Sequence, residues 1–148
     1  MRIVLDTNIL VRAHANARGP ARDLLILVGQ EPEHTLLLSP FLLEELERVL
    51  GYERVQRLTR LTITENIEYL RYLRRVDVSE MIFPGPAPGV VLADPDDDPV
   101  VHTAVTGRAD VLCTLNRHFY VPPVVEYCRE RGVLIANDLE LLRLLRAG

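Results

Sequence analysis

The chain has 148 residues, 48% hydrophobic content and a formal net charge of −4, which suits one globular domain able to bury a core. Its apolar runs are too short for a membrane span. All 17 basic residues are arginine, which excludes a P-loop, a Schiff-base lysine and the lysine of phospho-aspartyl enzymes.

The first predicted element is a strand over Arg2–Leu5, closed by Asp6 and followed by Thr7-Asn8 and a helical pattern. This order puts a carboxylate at the carboxyl end of a strand, the edge at which open α/β sheets bind ligands. The same Asp also suits a helix cap. A helix over 20–29 and a strand over 35–39 follow. Ser39-Pro40 then reads as an N-cap with proline at the first helical position, opening a helix over 40–51. Glu45, with Leu42 three before it and Val49 four after, falls on the apolar stripe of that helix. Glu44 has Glu47 and Arg48 at those offsets and falls on the wet face, where an i,i+4 pair with Arg48 is expected. A Glu on an inward face needs a partner, either a metal ion or an arginine.

Thr62-Ile63-Thr64-Glu65 matches a capping box and opens a helix over 63–76. The stretch Phe83-Pro84-Gly85-Pro86-Ala87-Pro88-Gly89 reads as a stiff surface loop. The acidic run Asp94-Pro95-Asp96-Asp97-Asp98-Pro99 has D-x-D-x-D spacing, yet Pro99 stands where a calcium loop needs Gly and Val105 where it needs Glu. Asp98 is the natural N-cap of a helix over 99–107, where it complements the dipole or serves as a ligand. Asp96 and Asp97 are read as solvated neighbours that can hydrogen-bond around a site. A strand over 111–114 delivers Asn116, Arg117 and His118 to the same edge. Asn116 is a neutral oxygen donor where a fourth acid would complete the cluster. A helix over 123–131, a strand over 133–136 and a helix over 139–146 close the chain.

Strands separated by helices imply right-handed crossovers. The expected fold is α/β: a single three-layer domain over 1–148, with a mainly parallel sheet of four to five strands flanked by helices. Cys113 and Cys128 lie far apart inside apolar patterns, as reduced core residues do. The chain also opens directly into strand-like sequence, so no signal peptide is expected and a cytoplasmic location is.

Asp6, Glu45 and Asp98 on one sheet edge would make a site for a hard divalent cation of the Mg²⁺ or Mn²⁺ type. Such a site supports phosphodiester hydrolysis. A substrate anion would then need a basic rim. From Arg48 to Arg75 seven arginines face three glutamates, a local net charge of +4. Arg54, Arg57 and Arg71 in that stretch, and Arg117 beyond it, are the candidate contacts for that anion. Tyr52, Tyr69 and Tyr72 interleave there, either as stacking platforms for unpaired bases or as ordinary core residues.

Leu5-Asp6-Thr7-Asn8, the helix carrying Glu45-Leu46, Asp98 opening a helix, and Thr114-Leu115-Asn116-Arg117-His118-Phe119 together resemble a PIN-domain ribonuclease. The likeness runs through the closing Gly132-Val133-Leu134-Ile135 strand and so covers almost the whole chain. It is greatest to the small bacterial PIN proteins described as toxin components of toxin–antitoxin pairs (VapC-like). The resemblance implies a metal-dependent endoribonuclease acting on single-stranded RNA or structured loops, with a possible antitoxin partner, a homodimeric assembly and no membrane association. It implies Asp6, Glu45 and Asp98 as the acidic core, with Asn116 as an auxiliary ligand and Thr7, Asn8 and Thr114 orienting them. The family commonly has Asp where this chain has Asn116, which weakens a second metal more than the first. Two rival readings are a catalytically weak RNA- or partner-binding PIN module, favoured by Asn116, and a phosphotransferase using Asp6 as nucleophile. The latter wants an acid where Asn8 stands, and a lysine.

Overall fold

The computed structural model describes residues 1–86, 89 and 98–148. Five strands form one sheet: β1 (Arg2–Leu5), β2 (Thr35–Leu38), β3 (Ser79–Met81), β4 (Val111–Cys113) and β5 (Leu134–Ala136). Their order is β3-β2-β1-β4-β5, and every neighbouring pair is parallel. The helices are α1 (Thr7–Ala15), α2 (Pro20–Gln30), α3 (Pro40–Leu50), α4 (Glu53–Thr59), α5 (Ile63–Leu73), α6 (Asp98–Thr106), α7 (Pro122–Glu130) and α8 (Asp138–Ala147).

Side chains alternate across each strand and divide the interior into two cores. Ile3, Leu5, Leu36, Leu38, Val111 and Cys113 point to one face, where α1, α2, α5 and α8 cover them. Val4, Leu37 and Leu112 point to the other and pack against α6 and α7. Both faces are therefore dry, and the strands read as near-continuous apolar runs. Helix α3 joins both layers, with Leu42 in one core and Leu43, Leu46 and Leu50 in the other.

The local signals operate as expected at three helix starts. The Ser39 hydroxyl accepts from Leu42 N with Pro40 in the first turn, Thr62 and Glu65 form a capping box, and Asp6 caps α1. Four expectations need correction. The edge strand β3 was not anticipated, because Ser79-Glu80-Met81 is three residues long with none fully buried. Helix α4 was also missed; it buries no residue and ends on Arg60 at φ 58°, a left-handed cap. The helix expected over 63–76 stops at Leu73, since Val76 is 97% exposed and Arg75 turns to pair with Asp77. Asp98 is the first residue of α6 rather than the residue before it.

The strand order creates a crevice. The connection leaving β1 runs toward β2, whereas the one leaving β4 runs toward β5, so chain diverges above the β1–β4 pair. Ligands of open α/β sheets bind at such a divergence. Leu37, fully buried on the interior strand β2, reports on the core beneath it. Leu37→Ala should cost about 3 kcal/mol in urea unfolding with an unchanged m-value.

Candidate functional site

Asp6 stands at the carboxyl end of β1, directly in that crevice. Its backbone N–H extends the ladder to Cys113 O at 2.9 Å. Its carboxylate then accepts two hydrogen bonds, from Thr7 N at 2.8 Å and from the Thr114 hydroxyl at 2.7 Å. Thr114 follows β4, so this second bond ties the ends of the two strands together. The Thr114 oxygen also accepts from Asn116 N at 3.0 Å, and Asn116 Oδ1 accepts from His118 N at 3.0 Å, capping a 3-10 turn over Arg117–Phe119. On the other side, the Thr7 hydroxyl donates to Glu45 Oε2 at 2.8 Å and brings α3 into the network. Asn8 Oδ1 accepts from Leu115 N at 3.4 Å.

These groups line a cavity of about 460 Å³ bounded by Asp6, Thr7, Asn8, Val11, Arg12, Glu45, Val49, Leu115 and Asn116. Helical phase assigns the two neighbouring glutamates as expected: Glu45 is half-buried and faces the cavity, and Glu44 is exposed. The expected Glu44–Arg48 pair does not form, and Glu44 lies in water. Asp98 is buried at the start of α6, where Oδ2 accepts from Gly89 N. It is not among the described residues lining the cavity, so Asp6 and Glu45 are the carboxylates brought together there. Asp96 and Asp97 lie outside the described residues. Among the described residues no group of three or more His, Cys, Asp and Glu side chains is disposed to hold an ion.

Arg54, Arg57, Arg71 and Arg117 are all exposed, and none lines the cavity. The arginine that does is Arg12, which no charge-density argument along the chain singles out. Tyr69 is no base platform. It is buried, stacks on His14 with ring centroids 4.1 Å apart, and donates its hydroxyl to Leu10 O. Tyr52 remains half-exposed. A further buried acid stands at the same sheet edge: Asp138, 3% exposed, opens α8 two residues beyond the end of β5. Its signal was the repeated order of strand, polar residue and helix in Ala136-Asn137-Asp138.

Burial pushes the Asp6 carboxyl up to about 6, and the charge of Glu45 pushes the same way, against the bonds from Thr114 and Thr7 that favour the ionised form. Cys113, buried behind the site beside Asp138 and Asp6, has its thiol pushed up as well and is chemically inert. A carboxylate held against its own ionisation and a second one tied to it through Thr7 fit a hard cation. Mg²⁺ is commonly held by one or two carboxylates with waters completing its shell.

The folded pKa of Asp6 lies above its unfolded value. Its contribution to stability is therefore full below the ordinary aspartate value of 3.8 and lost as pH rises through about 6. Metal-free protein should accordingly lose about 2 kcal/mol between pH 4 and pH 7 relative to Asp6→Asn, in paired urea titrations. Equal pH dependence of the two proteins would show that Asp6 is solvated.

The model of the PIN domain matches residues 2–118. No curated protein matches the chain. Among solved structures, a chain in the crystal structure of VapBC2 from Rickettsia felis, bound to a DNA fragment from their promoter, superposes with a TM-score of 0.58. The two are 18% identical, over 93% of this chain and 98% of that one. A match over residues 2–118, most of the length, assigns the chain to the PIN-domain family.

Proposed function

We propose that this protein is a divalent-metal-dependent endoribonuclease, the VapC-like toxin half of a toxin–antitoxin pair. The observation that carries the reading is the joining of Asp6 and Glu45 through Thr7, whose backbone N–H donates to Asp6 and whose hydroxyl donates to Glu45, in one cavity at the sheet divergence. In this reading Asp6 and Glu45 hold a Mg²⁺ or Mn²⁺ ion, with Asp98 and Asn116 as further donors. Bound there, the ion would acidify water and offset charge on a phosphodiester. The chain's own part is orientation. Thr114 fixes one oxygen of Asp6 and Thr7 N the other, so the carboxylate cannot rotate. Thr7 holds Glu45 in the same way, and such supporting bonds commonly matter ten- to a hundredfold in affinity or rate. Val11, Val49 and Leu115 wall the cavity with apolar surface and strengthen its electrostatics.

The likeness to a VapBC2 chain supports an antitoxin-like protein partner. Leu58, Ile63 and Ile67, exposed on α4 and α5, offer apolar surface for a second copy of the chain. Cytoplasmic RNA, single-stranded or in loops, is the expected substrate. A weak RNA- or partner-binding module is the second reading, favoured by the uncharged Asn116 at the cavity. A phosphotransferase is not supported. Asn8 occupies the position of its second acid and bonds Leu115 N, and the chain has no lysine.

With defined single-stranded RNAs and Mn²⁺ or Mg²⁺, wild type should cleave. Asp6→Asn and Glu45→Gln should abolish cleavage, and Glu44→Gln should stay near wild type. Mn²⁺ should raise the melting temperature of wild type and leave Asp6→Asn unmoved. Cleavage that survives in clean Asp6→Asn protein would sink the site.

Asn116→Asp adds a third carboxylate to the cavity and can keep the bond to His118 N. Calorimetry should show tighter Mn²⁺ binding, and faster cleavage should accompany it. An unchanged isotherm would place residue 116 outside the ion site.

A further inference from the structure

Arg12 is the one cationic side chain among the described residues lining the cavity. It projects from α1, two turns beyond Asp6, and its side chain is 54% exposed. Its Nη2 lies 3.7 Å from Asp138 Oδ2, across the gap between α1 and α8. The Asp138 side chain is only 4% exposed. Its Oδ1 accepts from Leu139 N at 3.0 Å, but the buried Oδ2 has no hydrogen-bond partner. A buried carboxylate oxygen without a hydrogen bond is costly, and here the compensation is the Arg12 charge at ion-pair distance, beyond hydrogen-bond reach. Asp138 thus holds the guanidinium in place without consuming its N–H donors. The half-exposed planar fork of N–H donors on Arg12 is left available to an anion entering the cavity. A polyanion approaching Asp6 and Glu45 is repelled by both, and Arg12 is the counter-charge on the same wall.

We propose that Arg12 grips a backbone phosphate of single-stranded RNA beside the Asp6–Glu45 pair, and that Asp138 is its positioning residue. The proposal deepens the nuclease reading above and rests on it for its substrate. Pairing with a phosphate through two parallel N–H···O bonds is the recognition for which arginine is suited and lysine is not. Arg12 is exposed enough to be replaced without unfolding the chain. Asp138 is buried, so Asp138→Glu serves as the charge-retaining partner of Asp138→Asn.

Binding is read by fluorescence anisotropy of a labelled RNA of about ten nucleotides in an Asp6→Asn background, which prevents cleavage. Turnover is read separately with Asp6 intact. Adding Arg12→Ala should weaken binding about tenfold. It should also flatten the dependence of log affinity on log salt by about 0.7, one phosphate contact. Arg12→Lys should recover the salt slope and only part of the affinity. In turnover, Arg12→Ala should raise KM more than it lowers kcat. Asp138→Asn should shift KM in the same direction with Mn²⁺ affinity retained, and Asp138→Glu should recover it. Unchanged affinity and salt slope in Arg12→Ala, with wild type cleaving normally, would overturn the Arg12 assignment alone. Wild type that binds RNA through Arg12 and never cleaves it would overturn the nuclease reading and leave the phosphate contact standing. Absence of RNA binding would overturn both.

Discussion

A carboxylate buried at the point where the sheet's connections diverge is the constraint around which this molecule is organised. Taking Asp6 out of water costs several kcal/mol before any compensation. Two hydrogen bonds, from Thr7 N and the Thr114 hydroxyl, return about 1.5–3 kcal/mol each when the acceptor is charged. The amino end of α1 adds a fraction of that. Glu45, tied to the same turn, works in the opposite direction. The balance falls short of full ionisation near neutrality, so the fold supports a site whose electrostatics are completed from outside. Asp6 is thus a cap on α1 whose charge the protein compensates only in part.

The hydroxyls are what turn separate elements into one site. Thr114 donates to Asp6 and accepts from Asn116, while its backbone N–H bonds Ala136 O and its carbonyl accepts from the Tyr120 hydroxyl. Strand β4, its loop and the first strand are therefore registered to one oxygen atom. Thr7 plays the matching role toward α3. Both threonines are buried, Thr7 as the first residue of α1 and Thr114 directly after β4, and anchoring of that kind holds side chains within narrow tolerances.

Much of this was legible in the chain because the relevant signals are local. The phase of a helix separates Glu45 from Glu44, and Ser39-Pro40 and the Thr62–Glu65 box announce their helices. Asp6 after an apolar run was visible as strand followed by acid. The missing parts share a physical cause. Strand β3 and helix α4 bury too little to leave a hydrophobic pattern, and exist because neighbouring elements hold them. Tyr69 and Tyr72 look alike in sequence; burial against His14 distinguishes the first. Arg12 and Asp138 are 126 positions apart and meet only when packing against α2 brings the start of α8 within reach of α1. The search for basic residues followed local charge density, which cannot register a pair of that kind.

Helix α3 packs into both interiors, Leu42 on one side of the sheet and Leu43, Leu46 and Leu50 on the other. A helix anchored in only one layer can shift with that layer; one anchored in two transmits a disturbance in either. Glu45 sits between these anchors, and its placement is the sum of two packing arrangements that share no other helix. Drift at apolar positions far from the cavity, under either face of the sheet, therefore reaches the placement of Glu45 mechanically. Variation in such a lineage is free to reshape the cavity through volume changes in its cores while every polar residue of the cavity stays as it is.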